Sequence, residues 1–502
     1  MTAHETSSTD PADPITPSGG PRSRDGALAN GAATDVLWVF SVLWALAAWF
    51  HQMGNARGAA DVPHLLLVAA IVAVLARPGR LVPLVALSAT GFWTAWTEAP
   101  MLSNHWTLFS LVNLGLLGSL AATRLRTPSG GTASFEARFA SNFLPVARTV
   151  LLAFYLFAAF AKLNSAFFDR TVSCAVYFFD ESMTSIGLGG LGLQDQTAIQ
   201  TIVIVGTAMI ELSVPWLLII RRTRNWGVVV AIVFHAALAI DKSSHQFVDF
   251  SSLLTALFVL FLPVGLFTWV RSFRVPAMPI RPGLLAAVPI ALIALAGFGS
   301  ETATPTARTA LTVMWWVWQP LVVALVVVLV RYLRTTRPEP IDSVISHVGF
   351  GPPAWLWIVP GLAVLNGITP YVELKTAYGW TMYSNLSMVD GETNHLIVRA
   401  GFPLTEEQSD VVSITASSDP RLGFYARHDL LLPRTELRIF IADNPDTALT
   451  YSHGGETYVT ERAGDDPLLN EPVPIFRRKL QVFRSMSLTS PEVCQPLWGA
   501  AR

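Results

Sequence analysis

A lysine closes the apolar run Phe154-Tyr155-Leu156-Phe157-Ala158-Ala159-Phe160-Ala161-Lys162-Leu163-Asn164. On insertion scales a lysine at the centre of a membrane helix costs roughly 2.5 to 3.5 kcal/mol. Near a helix end it escapes that cost by stretching its ammonium to the headgroups. In a low-dielectric pocket the same side chain has its pKa lowered until it serves as a base. Histidine offers a proton acceptor near neutral pH, and His105, in Asn104-His105-Trp106, opens another apolar segment. Lys162 and His105 are therefore the candidate acid-base pair. For His105, beside Trp106, the alternative is an interfacial anchor.

Two more ionisable residues lie inside apolar segments. His235, in Phe234-His235-Ala236-Ala237-Leu238, is either a helix-helix hydrogen-bonding group or a pocket residue. Glu211, in Met209-Ile210-Glu211-Leu212-Ser213-Val214-Pro215, needs a partner, which His235 or an arginine would supply. Pro215 bends that helix and opens room for a ligand. The histidines follow neither HxxxH nor HExxH spacing, so no metal is expected.

These residues must be positioned by membrane helices. Of 502 residues, 52% are hydrophobic and only 14% charged, far more apolar than a soluble chain of this length. Apolar segments fall at about residues 35–51, 62–76, 81–97, 105–122, 148–163, 198–220, 225–241, 250–270, 282–298, 309–330 and 354–371. That is roughly eleven candidate spans, in an all-α polytopic membrane protein. Alternate loops carry arginine clusters: Arg77 and Arg80; Arg124, Arg126, Arg138 and Arg148; Arg221, Arg222 and Arg224; Arg271, Arg274 and Arg281; Arg331, Arg334 and Arg337. The positive-inside rule then puts the N-terminus in the cytoplasm and the C-terminal region outside the plasma membrane. On that topology the segments around His105, Lys162, Asp241 to His245, and Tyr378 to Trp380 all lie toward one outer face.

Residues 1–34, rich in Ser, Thr, Pro, Gly and Asp, read as a disordered tail. Residues 35–375 form the transmembrane domain. Residues 376–502 mix short alternating runs with Asp-Pro, Asn-Pro and Gly-Gly turn signals, reading as a small extramembrane α+β or β-rich domain. A formal net charge of -1 and the lack of a basic run argue against nucleic acid as a partner. There is no Gly-rich phosphate loop. The two cysteines, Cys174 and Cys494, are either one bridge on an oxidising side of the membrane or two separate thiols.

Several of these stretches resemble the HTTM domain family, which includes the vitamin K-dependent gamma-glutamyl carboxylases. Ala161-Lys162-Leu163-Asn164 is similar to the carboxylase helix that ends in a catalytic lysine, and Asn104-His105 to the motif carrying a second active-site residue. Phe234-His235, His245-Gln246-Phe247-Val248-Asp249-Phe250-Ser251, Tyr378-Gly379-Trp380-Thr381-Met382-Tyr383-Ser384-Asn385 and Asn394-His395 resemble later family segments in the same order. The likeness runs from about residue 35 to about residue 400. It implies that Lys162 deprotonates a reduced naphthoquinone, vitamin K or menaquinone hydroquinone. With O2 and CO2 as co-substrates, quinone epoxidation is then coupled to carboxylation of a peptide or protein acceptor, a lyase or monooxygenase chemistry. It further implies that His105 stabilises or positions a charged intermediate, and that Asn104, Trp106, Glu211, His235, His245 and Trp380 line the cofactor site. The C-terminal domain is smaller than the carboxylase's lumenal portion, which leaves the acceptor open. The Arg- and Ala-rich composition points to a bacterial source, with menaquinone as the available quinone. The reading from a different class is a noncatalytic quinone- or lipid-binding membrane protein, or a peptide export or immunity factor, on the same fold. A secondary transporter is disfavoured by the lack of an inverted repeat.

Overall fold

The computed structural model describes residues 21–54, 61–126, 133–241, 245–272, 305–336, 351–487 and 494. The chain opens with helices α1 (Pro21–Gly54), α2 (Val62–Ala76), α3 (Leu81–Glu98), α4 (Asn104–Leu125) and α5 (Phe135–Ala161). After the short α6 (Ser165–Phe168) and α7 (Cys174–Ser185) come α8 (Thr197–Ile219), α9 (Arg224–Leu238), α10 (His245–Phe258), α11 (Val264–Ser272), α12 (Pro305–Thr335) and α13 (Ile358–Ile368). Side chains of Asp61, Ser103, Ser134, Asn164 and Ser173 accept the first free amides of α2, α4, α5, α6 and α7, fixing where those helices begin. α1 begins at Pro21, inside the stretch expected to be a disordered tail.

Among the described residues, five helices are long and apolar enough to cross a membrane, at Asn30–Met53, Asn104–Leu125, Phe135–Ala161, Thr197–Ile219 and Thr312–Thr335. A sixth span is possible if Phe247–Phe261 and Val264–Val270, bent by 109° at their break, act as one. The roughly eleven spans expected from hydropathy are therefore not all found. The apolar helices Val62–Ala76, Arg224–Leu238 and Ala354–Ile368 have 10–17 residues. Even 15 residues reach only about 22 Å along a helix, short of a hydrocarbon layer of about 30 Å. Leu81–Glu98 is not among the candidate spans either, and the segment at 282–298 lies outside the described residues. Apolar runs mark buried helices as well as crossing ones, and the runs alone do not separate the two. The architecture fits a multi-pass helical membrane protein with a small C-terminal sheet domain.

α1 is the central helix, packed against α10, α5, α2 and α11. Its interior side joins an aromatic column: Trp44 stacks on Phe109 with ring centres 4.7 Å apart, Phe109 on Trp106 at 4.1 Å, and Trp106 on His51 at 3.6 Å. Trp44 Nε1 donates to Asn113 Oδ1 at 2.9 Å, satisfying its polar edge within the apolar interior. The opposite surfaces of α8 and α12 expose Ile202, Met209, Trp216, Trp316, Val323 and Val327, faces suited to lipid.

Beyond α13 lie a hairpin, β1 (Met388–Val389) and β2 (Glu392–Thr393), and a four-stranded antiparallel sheet. The sheet is built from β3 (Val411–Ser417), β4 (Leu431–Pro433), β5 (Leu449–His453) and β6 (Glu456–Thr460), in the order β4-β3-β5-β6. Its own core includes Val412, Ile414, Leu432 and Tyr451 from the strands, with Leu437 and Phe440 supplied by the helix Arg434–Asp443.

Asp410 ties the edge of this domain together. Arg434 Nη2 reaches Asp410 Oδ2 at 2.8 Å, and His453 Nε2 lies 2.7 Å from Asp410 Oδ1. Burial pushes the Asp410 carboxyl up, but the hydrogen bonds from Arg434 and His453 outweigh it and hold the group below its ordinary value. The sign follows: the stabilisation is complete above the unfolded carboxylate value of about 4 and is lost as pH falls through the lower folded value. Partial solvent exposure limits it to about 1 kcal/mol. Thermal unfolding of the full chain between pH 6 and 3 should show a steeper acid loss for wild type than for Asp410→Asn; equal slopes would remove this contribution.

Candidate functional site

Lys162 is the C-cap of α5, and its backbone amide donates to Ala159 O and Phe160 O. The turn beyond it is held by Asn164, whose Nδ2 donates to Ala161 O at 2.8 Å and to Ser384 O, and whose Oδ1 accepts the Phe167 amide at 2.8 Å. The Leu396 amide donates to Leu163 O at 2.8 Å and the Ser165 amide to Asn394 O at 3.0 Å. His395 Nε2 sits 3.0 Å from Phe160 O. The segment after α13 is thus zipped onto the end of α5, which sets the lysine in a closed setting instead of at a free helix terminus.

There the Lys162 ammonium meets Glu211 of α8, Nζ to Oε2 2.8 Å, with both side chains buried. It also donates to Met382 O at 3.4 Å and Ala158 O at 3.5 Å. The sequence offers His235 or an arginine as the partner of Glu211; the structure gives it Lys162 instead. A snorkelling lysine reaches water or headgroups, and this one turns inward to a carboxylate. Pro215 lacks the amide that would donate to the Glu211 carbonyl one turn back, which loosens α8 beside the pair.

His235 projects from α9 and is hydrogen-bonded through Nε2 to the Tyr155 hydroxyl of α5. Its Nδ1 has no hydrogen-bond partner among the described residues, although the ring is buried. Phe250 stands between this group and His105, with ring centres 5.0 Å from His235 and 5.7 Å from His105. Phe154 touches both Phe250, at 6.1 Å, and Trp380, at 5.0 Å.

His105 does not pair with Lys162. Its Nε2 lies 3.0 Å from Asp249 Oδ2 of α10 and 3.1 Å from Ser103 Oγ. Asp249 Oδ2 is shared with His51 Nδ1 of α1 at 3.1 Å. The expected acid-base pair is therefore split into two clusters, Lys162 with Glu211 and His105 with Asp249 and His51, on either side of an aromatic divider. Trp106 stacks on His51, as described above, and is fully buried, so it is an interior residue of the cluster and not an interfacial anchor.

Asn104 and Trp380 join the two parts of the chain: the Trp380 amide donates to Asn104 Oδ1 at 2.9 Å, and Trp380 Nε1 to Ala363 O at 2.7 Å. The backbone of this segment is left-handed at Glu373, Tyr378, Trp380, Tyr383, Asn385 and Asp390, all non-glycine. Each such residue costs on the order of 1–3 kcal/mol; the buried Trp380 and its two hydrogen bonds help hold the segment in place. His245 opens α10, and its side chain lies outside the described residues.

No family model, curated protein or solved structure matches this chain. What the site can do chemically therefore rests on its own groups. An aromatic and aliphatic interior carries two kinds of polar terminus: an ammonium-carboxylate pair, and an imidazole nitrogen with no hydrogen-bond partner among the described residues. His51, Asp249 and Tyr155 went unassigned in the sequence. His51 lies near the end of an apolar run and Asp249 inside one, and a search for buried ionisable residues in every apolar segment would have found both.

Proposed function

We propose that this chain is an integral-membrane enzyme of the carboxylase-like class, in which Lys162 removes a hydroxyl proton from a reduced naphthoquinone held between the helices. The observation that carries the reading is the buried Lys162–Glu211 pair, 2.8 Å apart at the closed end of α5. A charged pair away from water has a nearby alternative in which the proton moves from ammonium to carboxylate, leaving a neutral amine beside a neutral acid. In that form Lys162 Nζ accepts the substrate proton and Glu211 holds the one it gave up. His235 Nδ1 is available to orient the second oxygen of the ring, and Tyr155 fixes the imidazole through its other nitrogen. Phe154 and Phe250 exclude water from the reacting groups. When bound, the quinol supplies the reducing electrons for O2, going to its epoxide as one oxygen atom leaves as water, and this is the chemistry that would drive CO2 addition to a peptide or protein acceptor.

The placement proposed with this function is a cell membrane, with the N-terminus cytoplasmic and the C-terminal domain outside. A disulfide between Cys174 and Cys494 supports the outer, oxidising location of that end. Lipid, isoprenoid quinone and an acceptor peptide are the partners this reading requires.

The test is turnover. Purified protein in detergent, given reduced menaquinone or vitamin K, O2 and bicarbonate, is expected to form quinone epoxide, followed by mass spectrometry. A monodisperse wild type that forms none would overturn the enzyme reading in favour of quinone or lipid binding without chemistry.

A further inference from the structure

We propose that His51, His105 and Asp249 bind a divalent first-row transition-metal ion. The three come from α1, α4 and α10, and one ligand atom from each lies within 4.8 Å of the others. Asp249 Oδ2 is 3.0 Å from His105 Nε2 and 3.1 Å from His51 Nδ1. An ion holding nitrogen and oxygen at about 2.0–2.2 Å sets adjacent ligands about 3.0 Å apart at right angles and about 3.4 Å apart in a tetrahedron. The two measured sides match ligands around one ion.

Hydrogen bonding alone accounts poorly for the arrangement. Both imidazoles crowd onto one carboxylate oxygen, and His105 Nε2 has Ser103 Oγ as a second neighbour at 3.1 Å. The other oxygen, Asp249 Oδ1, has no hydrogen-bond partner among the described residues, although Asp249 is only 1% exposed. A buried carboxylate left half-satisfied is costly. A bound cation balances its charge, and a metal-bound water, or the ion itself in bidentate contact, satisfies Oδ1.

The surroundings are those of a metal ligand. Behind His51, Nε2 faces Glu98 Oε2 at 3.5 Å, and Glu98 Oε1 is 3.0 Å from His64 Nε2. A carboxylate behind a ligating histidine orients the ring and raises its basicity. Trp106, stacked on His51 with planes 12° apart, holds the ring from its face. Two imidazoles and one carboxylate favour zinc, iron(II) or cobalt(II) over magnesium or calcium, and three protein ligands leave positions open for water. The ligands are 144 and 198 residues apart from Asp249 along the chain, so no local spacing motif exists for them.

This inference goes beyond the quinol reading and is measured without turnover. The full chain, purified in detergent and stripped with a chelator, is reloaded with Zn2+ or Co2+ and its bound metal counted. One equivalent is expected for wild type, with visible Co2+ bands of a four- or five-coordinate nitrogen-oxygen site. Asp249→Asn and His51→Gln should lose the metal, and Glu98→Gln should bind 10- to 100-fold more weakly. A monodisperse wild type that retains no metal, or ligand variants that retain it as wild type does, would overturn the site. Should those variants not fold, X-ray absorption at the zinc edge of loaded wild type decides: imidazole scattering from two histidines is expected, and its lack overturns the proposal.

Discussion

Lys162→Ala is expected to lower quinol turnover by about 10²- to 10⁴-fold, the range a positioned general base supplies. It also leaves Glu211 buried without its cation, and breaking one side of a buried pair costs about 3–5 kcal/mol. Turnover lost through unfolding must therefore be separated from turnover lost through chemistry. The double variant Lys162→Met with Glu211→Leu does so, because replacing both charges with apolar groups of similar volume is often neutral or stabilising by about 1–4 kcal/mol. The double variant should unfold at or above the wild-type temperature and still form no epoxide. If it folds and turns over like wild type, Lys162 is not the base. Glu211→Leu alone should resemble Lys162→Ala in stability, since each single change strands the other charge. A double-mutant cycle on the unfolding free energies then measures the pair directly.

The second large effect is expected from the Cys174–Cys494 bridge, which joins residues 320 apart in sequence. Closing so long a loop stabilises by about 2–5 kcal/mol, toward the upper end on the loop-entropy account. The bridge also reaches the site. The Cys174 amide donates to Asn385 Oδ1 at 2.9 Å, Asn385 Nδ2 donates to Val172 O at 2.9 Å, and the Cys494 amide donates to Val172 O at 3.2 Å. Asn385 belongs to the left-handed segment that carries Trp380 and Met382 over Lys162. Cys174→Ser with Cys494→Ser should therefore lower the unfolding temperature and loosen residues 378–395, read as faster amide exchange there. Peptide mapping without reductant should find the two cysteines in one linked fragment. Two free thiols in the untreated protein would sink the bridge, and with it the support it lends to an outer location for this end.

Composition and apolar runs by themselves determined that this chain is mostly helical, with several helices apolar enough to cross a membrane, because helix hydrogen bonds are local and lipid or a bundle interior each demand apolar surfaces. The small C-terminal sheet domain was legible for a similar reason, through its turn residues and short alternating runs. Lys162, Glu211 and His235 stood out individually, since an ionisable group in an apolar helix is costly wherever it sits. Tertiary structure decided what each was paired with. It gave Glu211 to Lys162, removed His105 from Lys162 and joined it to Asp249 and His51, and turned Trp106 inward. It also set where the apolar helices Val62–Ala76, Arg224–Leu238 and Ala354–Ile368 begin and end, and so their lengths of 10–17 residues. Contacts among α1, α4 and α10, or α5 and α8, connect residues far apart in the chain, and their geometry is set by how whole helices pack, which no local pattern of residues encodes.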